Sequence, residues 1–283
     1  MGLIRPPCYF TRVSSSLSGT PSATIAGQAL TANANDVDSA VTTVLSALAH
    51  DVHYLVLQVG GFSVAGAGMV AMDVLIDTAG GTPGTLLIAD LAVGYSPPQT
   101  AGSVTTSRSY HFPLYIPAGA TVGVRQRTRH TANITTGRII MHGYGDPSQP
   151  QAWWCGRGVE TLGITGTTGA NSYGTSFTTP SGSWGSWTTI GTSTRDYGAV
   201  QFGCNGAPDA TSETLLYEYG YGSNRLPCSP GVWADVDSSD RFADIGRNMR
   251  PIFCSVASGT VWQGRGYANG LNTDLHHAIY GVF

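Results

Sequence analysis

The stretch that decides the fold runs from Tyr110 to Gly145, YHFPLYIPAGATVGVRQRTRHTANITTGRIIMHGYG. Proline removes an amide donor and glycine tolerates positive φ. Pro117-Ala118-Gly119 between two β-rich runs therefore predicts a tight strand-to-strand turn. The run after it, Thr121 to Thr128, has the pattern of a strand. Successive side chains of a strand point to opposite faces, which puts Arg125, Arg127 and Arg129 on one face and Val122 and Val124 on the other. The stretch closes on a second strand pattern, Ile139-Ile140-Met141-His142-Gly143-Tyr144.

Outward from this stretch the same grammar recurs. Cys8-Tyr9-Phe10-Thr11-Arg12-Val13 has a faint counterpart in Cys155-Gly156-Arg157-Gly158-Val159, and Val41-Thr42-Thr43-Val44 one in Trp187-Thr188-Thr189-Ile190. His50-Asp51 answers to Arg195-Asp196, and Ala89-Asp90-Leu91 to Ala234-Asp235-Val236. Phe112-Pro113-Leu114-Tyr115 answers to Arg250-Pro251-Ile252-Phe253, Thr121-Val122 to Thr260-Val261, and Ile140-Met141-His142-Gly143 to Ala278-Ile279-Tyr280-Gly281. Each match is weak alone, but their shared order and slowly drifting spacing indicate a tandem duplication. The first copy spans 8–145 and the second 153–283. A stiff Pro-containing linker occupies 146–152, and residues 1–20 form an N-terminal arm for which docking on a neighbour and a frayed end fit equally.

Each copy holds several short strand patterns separated by Gly, Pro, Asn and Ser turns. The expected fold is all-β, with two tandem jelly-roll-like β-sandwiches related by internal duplication. The one helical suspicion is 38–50, whose first part is assigned to strand because its partner Trp187-Thr188-Thr189-Ile190 is strand-like.

Composition narrows the function classes. Only 11% of the 283 residues are charged, all 14 basic residues are Arg, and Gly reaches 38. Lys and Glu are depleted and Arg favoured where a surface is covered by neighbours, so the expected partners are copies of the chain itself and other proteins of one assembly. A net charge of −3 argues against nucleic acid and anionic membranes. No apolar run approaches a membrane span, and the N-terminal residues carry neither a signal-peptide core nor a myristoylation pattern, so synthesis and assembly in a cytoplasm are expected. The cysteines, Cys8, Cys155, Cys204, Cys228 and Cys254, lack metal-ligand spacing. They are expected as small buried hydrophobes, with at least one left free or intermolecular.

Phe112-Pro113-Leu114-Tyr115-Ile116-Pro117-Ala118-Gly119-Ala120-Thr121-Val122-Gly123-Val124-Arg125 resembles β-sandwich modules of tailed-bacteriophage virion proteins, in which a Pro-Ala-Gly turn leads into a strand ending with Arg. The resemblance covers the C-terminal third of each copy, and the second copy departs from it with Ser255-Val256-Ala257-Ser258-Gly259 at the turn. It implies a non-enzymatic structural component of a virion (neck, collar, tail fibre, baseplate or capsid decoration) in a symmetric homo-oligomer, and it carries no catalytic residues.

No motif points to an enzyme. Asp73 and Asp77 bracket a strand end but read as a solvated edge, and no G-x-S-x-G elbow is present. Asp235 to Asp240 and Asn33 to Asp38 have hard-oxygen character, but Asx-rich turns explain them without an ion, so neither metal nor cofactor is expected. Arg125, Arg127 and Arg129, with Cys8, are candidate interface residues. The acids facing the arginines are expected in part from another chain, so that Ala at Arg125 and Arg127 would weaken assembly and spare the fold. All six Trp fall in the second copy or its entry. Trp233 and Trp262 are expected in the core. Trp184, Trp187 and Tyr221 are candidate glycan-binding residues, the alternative function being recognition of a host surface glycan.

Overall fold

The computed structural model describes residues 11–14, 28–31, 35–63, 68–96, 108–129, 136–145, 154–166, 172–206, 213–222, 226–227, 232–236, 248–249, 251–269 and 273–283. The first module contains β1 (Thr11–Ser14), β2 (Gln28–Thr31), β3 (Thr42–Leu45), β4 (Tyr54–Ser63), β5 (Gly68–Asp77), β6 (Thr85–Ser96), β7 (Arg108–Phe112), β8 (Thr121–Arg129) and β9 (Thr136–Gly145). The second contains β10 (Val159–Leu162), β11 (Thr175–Thr179), β12 (Thr188–Thr192), β13 (Tyr197–Gly206), β14 (Glu213–Tyr221), β15 (Leu226–Pro227), β16 (Val232–Val236), β17 (Asn248–Met249), β18 (Ile252–Val256), β19 (Val261–Ala268) and β20 (Thr273–Val282). No helix occurs among the described residues. The first part of 38–50 is strand, as expected: β3 forms because Thr42, Thr43 and Leu45 pair with β8, and no helix follows it in 46–50.

Both modules have one strand order. Sheet A runs β1-β9-β4-β7 with β2 also on β9, and sheet B runs β3-β8-β5-β6. Sheet C runs β10-β20-β13-β18 with β11 also on β20. Sheet D places β19 between β12 and β14, with β15 and β16 on β14. Irregularities recur as well: the register slips between Thr43 and Leu45 against β8, and between Thr189 and Gly191 against β19. The chain is two β-sandwiches related by internal duplication.

The deciding turn is duplicated in geometry where its sequence diverges. Gly119 and Gly259 sit at φ 81° and 82°, a region glycine enters without steric cost. Their amides donate to Leu48 and Ser193 carbonyls, each at 2.8 Å. Asp51 Oδ1 accepts from Ala118 N at 2.8 Å, and Asp196 Oδ1 from Ser258 N at 2.7 Å. Duplication preserved the glycine and the capping carboxylate, not the Pro-Ala.

Register corrects three of the sequence matches, one of them by a single residue, since Trp262 and not Val261 is the counterpart of Val122. Phe112 lies opposite Leu55 and Ile252 opposite Val200, so Ile252 is the counterpart of Phe112, two residues from the position read off the sequence. Leu91 lies opposite Met72 and Val232 opposite Tyr217, so Asp235 is no counterpart of Asp90. The sequence likeness there is four residues out of register, and β6 carries a bulge beside it. Ala89 and Asp90 stand against the single residue Asp73, and Asp90 takes φ 53°.

The two cores use different chemistry on one frame. Leu55, Leu57, Val59, Met72, Val74, Val122, Ile139 and Met141 fill the first, each such side chain contributing about 1.5–3 kcal/mol. In the second, Trp262 stands where Val122 does, Tyr219 where Val74 does, and His277 where Ile139 does. Trp262 is fully buried, as its strand pattern required. Trp233 lies on β16, and its side chain is outside the described residues.

Sheet C is buried on both faces. Val200, Phe202 and Ile279 face their own sandwich, whereas Ala199, Ala278, Tyr280 and Val282 join the core of the first. Tyr280 Oη donates to Asp90 O (3.1 Å) and accepts from Ala92 N (2.5 Å). Tyr110 Oη donates to the carbonyl of Ala92, and Thr161 Oγ1 to that of Ala89 (2.6 Å). β17 extends sheet A by pairing parallel to β7, and Tyr115 N and Gly156 N exchange bonds with the Gly156 and Pro113 carbonyls. Of the arm, Thr11–Ser14 is strand β1; the rest of it, the linker and Cys8 lie outside the described residues.

Candidate functional site

The arginine ridge forms because β8 pairs with β5 in a register that sets Asp73 opposite Arg125. Both lie on the outer face of sheet B. Arg125 contacts Asp73 at 2.7 Å and Asp38 at 3.2 Å. Arg127 Nη2 meets Asp90 Oδ1 at 2.5 Å and donates to Ser172 O at 2.9 Å, while Nη1 reaches Asp38 at 3.4 Å. The bulge supplies two of these contacts: it turns the Asp90 carboxylate toward Arg127 and its amide to Asp73 Oδ1, at 2.7 Å.

The second module closes over this cluster. Tyr173 lies under the Arg127 guanidinium, 5.4 Å from ring centroid to Cζ, and its hydroxyl donates to Asp36 at 2.9 Å. Arg127 is left 3% exposed. Burial opposes the Arg127 charge, but Asp90 and its hydrogen bond outweigh burial and hold the guanidinium protonated. Burial also raises the Asp90 carboxyl above its ordinary range, against the lowering pull of Arg127. Arg127 is therefore a buried inter-module pin, not an exposed interface residue. The acids expected from another chain are Asp38, Asp73 and Asp90 of the same chain. Asp73 is likewise buried, where a solvated strand edge was expected. Arg129 is exposed at the end of β8.

In the second module the same register produces the pair Arg265–Glu218, at 2.6 Å. Here the neighbours are aromatic. Trp184 and Trp187 stack on Arg265 with centroids 4.6 and 4.8 Å from Cζ, and Trp184 tilts against Tyr267 at 5.9 Å. Trp184 is 36% exposed. Trp184 and Trp187 thus share one outer surface of sheet D, as the glycan-binding reading requires. Tyr221 does not join them. It faces inward and packs on Trp262 at 5.3 Å, because strand alternation places it with Tyr217 and Tyr219.

The remaining described carboxylates are occupied too. Glu160 accepts from Thr194 N, Thr194 Oγ1 and Tyr197 Oη. Burial would raise its carboxyl, and these donors outweigh that and hold it below the usual range. Asp77 accepts from Ala79 N at 2.7 Å. Among the described residues no group of His, Cys, Asp and Glu has metal-site geometry.

Sequence reasoning found the arginines but not their partners. The available signal was Asp73 inside the apolar run Val70 to Ile76, since a carboxylate in a buried strand requires a cation opposite it.

No protein-family model and no curated protein matches the chain. Among solved structures it is similar to PNGF-II, at 10% identity over 96% of this chain with a TM-score of 0.41 in one crystal form, and at 8% and 0.38 in another. The chain spans 65% of the length of the PNGF-II chain. It is also similar to a chain of the empty top-component particles of cowpea mosaic virus, at 9% identity over 96% of this chain and 88% of that one, with a TM-score of 0.33.

The second core holds one titratable group with a calculable consequence. His277 Nδ1 lies 2.8 Å from Tyr219 Oη in a hydrogen bond, and Nε2 lies 4.0 Å from Cys204 Sγ. Burial, reinforced by His276, lowers its pKa well below the ordinary 6.5. The neutral ring is the folded form, so the stabilisation is complete above pH 6.5 and is lost as pH falls below it. The slope approaches about 1.4 kcal/mol per pH unit. Urea midpoints measured at pH 7 and pH 5 should fall more steeply for the wild type than for His277→Gln; parallel slopes would show that this ring is not the source.

Proposed function

We propose that the chain is a non-enzymatic structural subunit of a virus particle, of the tailed-phage neck, collar, fibre, baseplate or decoration type, assembled in the host cytoplasm and acting through its surfaces. The observation that carries this reading is the disposition of polar and apolar groups. Every carboxylate whose side chain is described is engaged by the chain itself, while Trp154, Phe253 and Phe283 stand 43%, 42% and 36% exposed. Catalysis by paired carboxylates needs acids free to hold or release a proton at a substrate. Exposed aromatics on a rigid block of two sandwiches are the usual anchors of protein interfaces. Absent Lys and sparse Glu agree with a surface that is covered in the working state.

The test is sedimentation of the purified chain together with immunogold labelling of particles from producing cells. Oligomers in solution and label at one place on the particle are expected. A monomer absent from every particle would refute the assignment.

Exposure of Trp184 beside Tyr267 specifically favours a second reading, glycan recognition on the outer face of sheet D. Quenching of tryptophan fluorescence by host surface glycans, lost in Trp184→Ala, would support it; a flat titration would remove it.

A further inference from the structure

The chain fills one sheet edge with a strand of its own and leaves the equivalent edge without one. In module one β7 lies on β4 and takes β17 parallel on its far side. In module two the counterpart of β7 is β18, which among the described residues has a ladder on one side only, to β13. Module one supplies no counterpart of β17. Ile252 answers to Phe112, so Asn248 and Met249 answer to Arg108 and Ser109, and those two are already paired with Val59 and Gln58 of β4. A strand edge with unpaired amides and carbonyls is a template for another chain.

This edge is apolar and its anchors are set in advance. The strand Ile252-Phe253-Cys254-Ser255-Val256 carries no charge. Ile252, Cys254 and Val256 turn toward the second core, whereas Phe253 and Ser255 are exposed on the other face. Beside Phe253 stands the exposed Trp154, edge-on to it with ring centroids 6.4 Å apart. A Cβ at Gly198 would come within 2.1 Å of the indole, so glycine is what lets Trp154 lie against the start of β13. The charged residues at the turn end of the strand are occupied, Arg195 on the Phe283 ring at 5.3 Å and Asp196 on the Ser258 amide at 2.7 Å.

We infer that β18 pairs antiparallel with β18 of a second copy of this chain, about a two-fold axis at Cys254, so that sheet C of the two copies becomes one sheet. The inference rests on the assembly reading and names its contact. In this register alone the whole strand pairs with itself. Phe253 lies opposite the partner's Ser255, a large ring against a small side chain, and Ile252 lies opposite the partner's Val256. The two Phe253 rings become diagonal neighbours within reach of each other, and the two Trp154 rings flank them. Moving the axis to Phe253 puts Pro251, which has no amide hydrogen, into the ladder, and moving it to Ser255 puts Ser258 of the turn there. A contact of one patch with itself closes at the dimer, and a charge introduced among its rings opposes it.

The test uses the full chain. In analytical ultracentrifugation Phe253→Arg should weaken association about tenfold or more with its melting temperature unchanged, while Leu86→Arg, at an exposed apolar position of β6, should associate as the wild type does. Directly opposed residues of antiparallel strands have Cα atoms about 4.5–5.5 Å apart, inside the span of a disulfide. Oxidation of the wild type with copper phenanthroline should therefore give a disulfide-linked dimer, retained in Cys155→Ser and absent from Cys254→Ser. That result does not depend on the folding of Phe253→Arg. Association unchanged in Phe253→Arg, or a crosslinked fraction equal in the wild type and Cys254→Ser, would overturn this contact and leave the assembly reading standing. A wild type that stays monomeric at all concentrations would overturn both.

Discussion

Arg127→Ala is expected to cost about 3–5 kcal/mol of stability and to lower the melting temperature by about 10 °C. The guanidinium is 3% exposed, binds Asp90, Asp38 and the Ser172 carbonyl, and lies on Tyr173. Truncation leaves the half-buried Asp90 carboxylate without its cation and the Ser172 carbonyl without its donor, and opens a void between modules. Arg125→Ala should be milder, about 1–3 kcal/mol, because that side chain is 30% exposed, although it leaves the Asp73 carboxylate, 7% exposed, held by the Asp90 amide without its cation. This reverses what the sequence suggests, that both arginines serve assembly and neither the fold. Chemical denaturation of the two variants decides: equal midpoints would show that the buried network does not hold the modules. Asp90→Asn in the Arg127→Ala background should restore part of the loss, since the stranded charge is then gone.

The reason for the reversal shows what a sequence can express. Alternation placed Arg125 and Arg127 on one face correctly, because a strand's period is local. Whether that face met water, a second chain or the second module depended on sheet C, whose residues lie far along the chain. The turn at Gly119 was legible because proline and glycine constrain the backbone where they stand. Its twin at Gly259 was recognisable only by position, since Asp196 and Gly259 do the work there without Pro or Ala. The bulge at Asp90 left no sequence signature, and the likeness of Ala89-Asp90-Leu91 to Ala234-Asp235-Val236 was one of composition, four residues out of register. Tyr221 was misplaced for a related reason: an aromatic in an alternating run gives no sign of which face is the inner one until a neighbour such as Trp262 is located.

Trp262→Ala should lower the stability of the whole chain, not of its second half alone. Trp262 is the largest fully buried side chain among the described residues and touches Tyr197, Phe202 and Tyr221, with centroids 6.3, 6.5 and 5.3 Å away. Removing an indole from such a site costs about 3–5 kcal/mol. Were the modules independent, calorimetry would show the second melting early and the first unchanged. Sheet C makes them dependent, because Ala199, Ala278, Tyr280 and Val282 are part of the first module's core. Burial of Tyr280 and Val282 alone couples the two by about 3–6 kcal/mol, and the hydrogen bonds from Tyr280 and Thr161 to β6 add to that. Losing the second module would strip these groups from the first and leave Arg127 without Ser172 and Tyr173. A single endotherm is therefore expected for the wild type, displaced as a whole to lower temperature in Trp262→Ala. Two separated endotherms in the variant, the upper one at the wild-type position, would show that the shared sheet transmits no stability between the sandwiches.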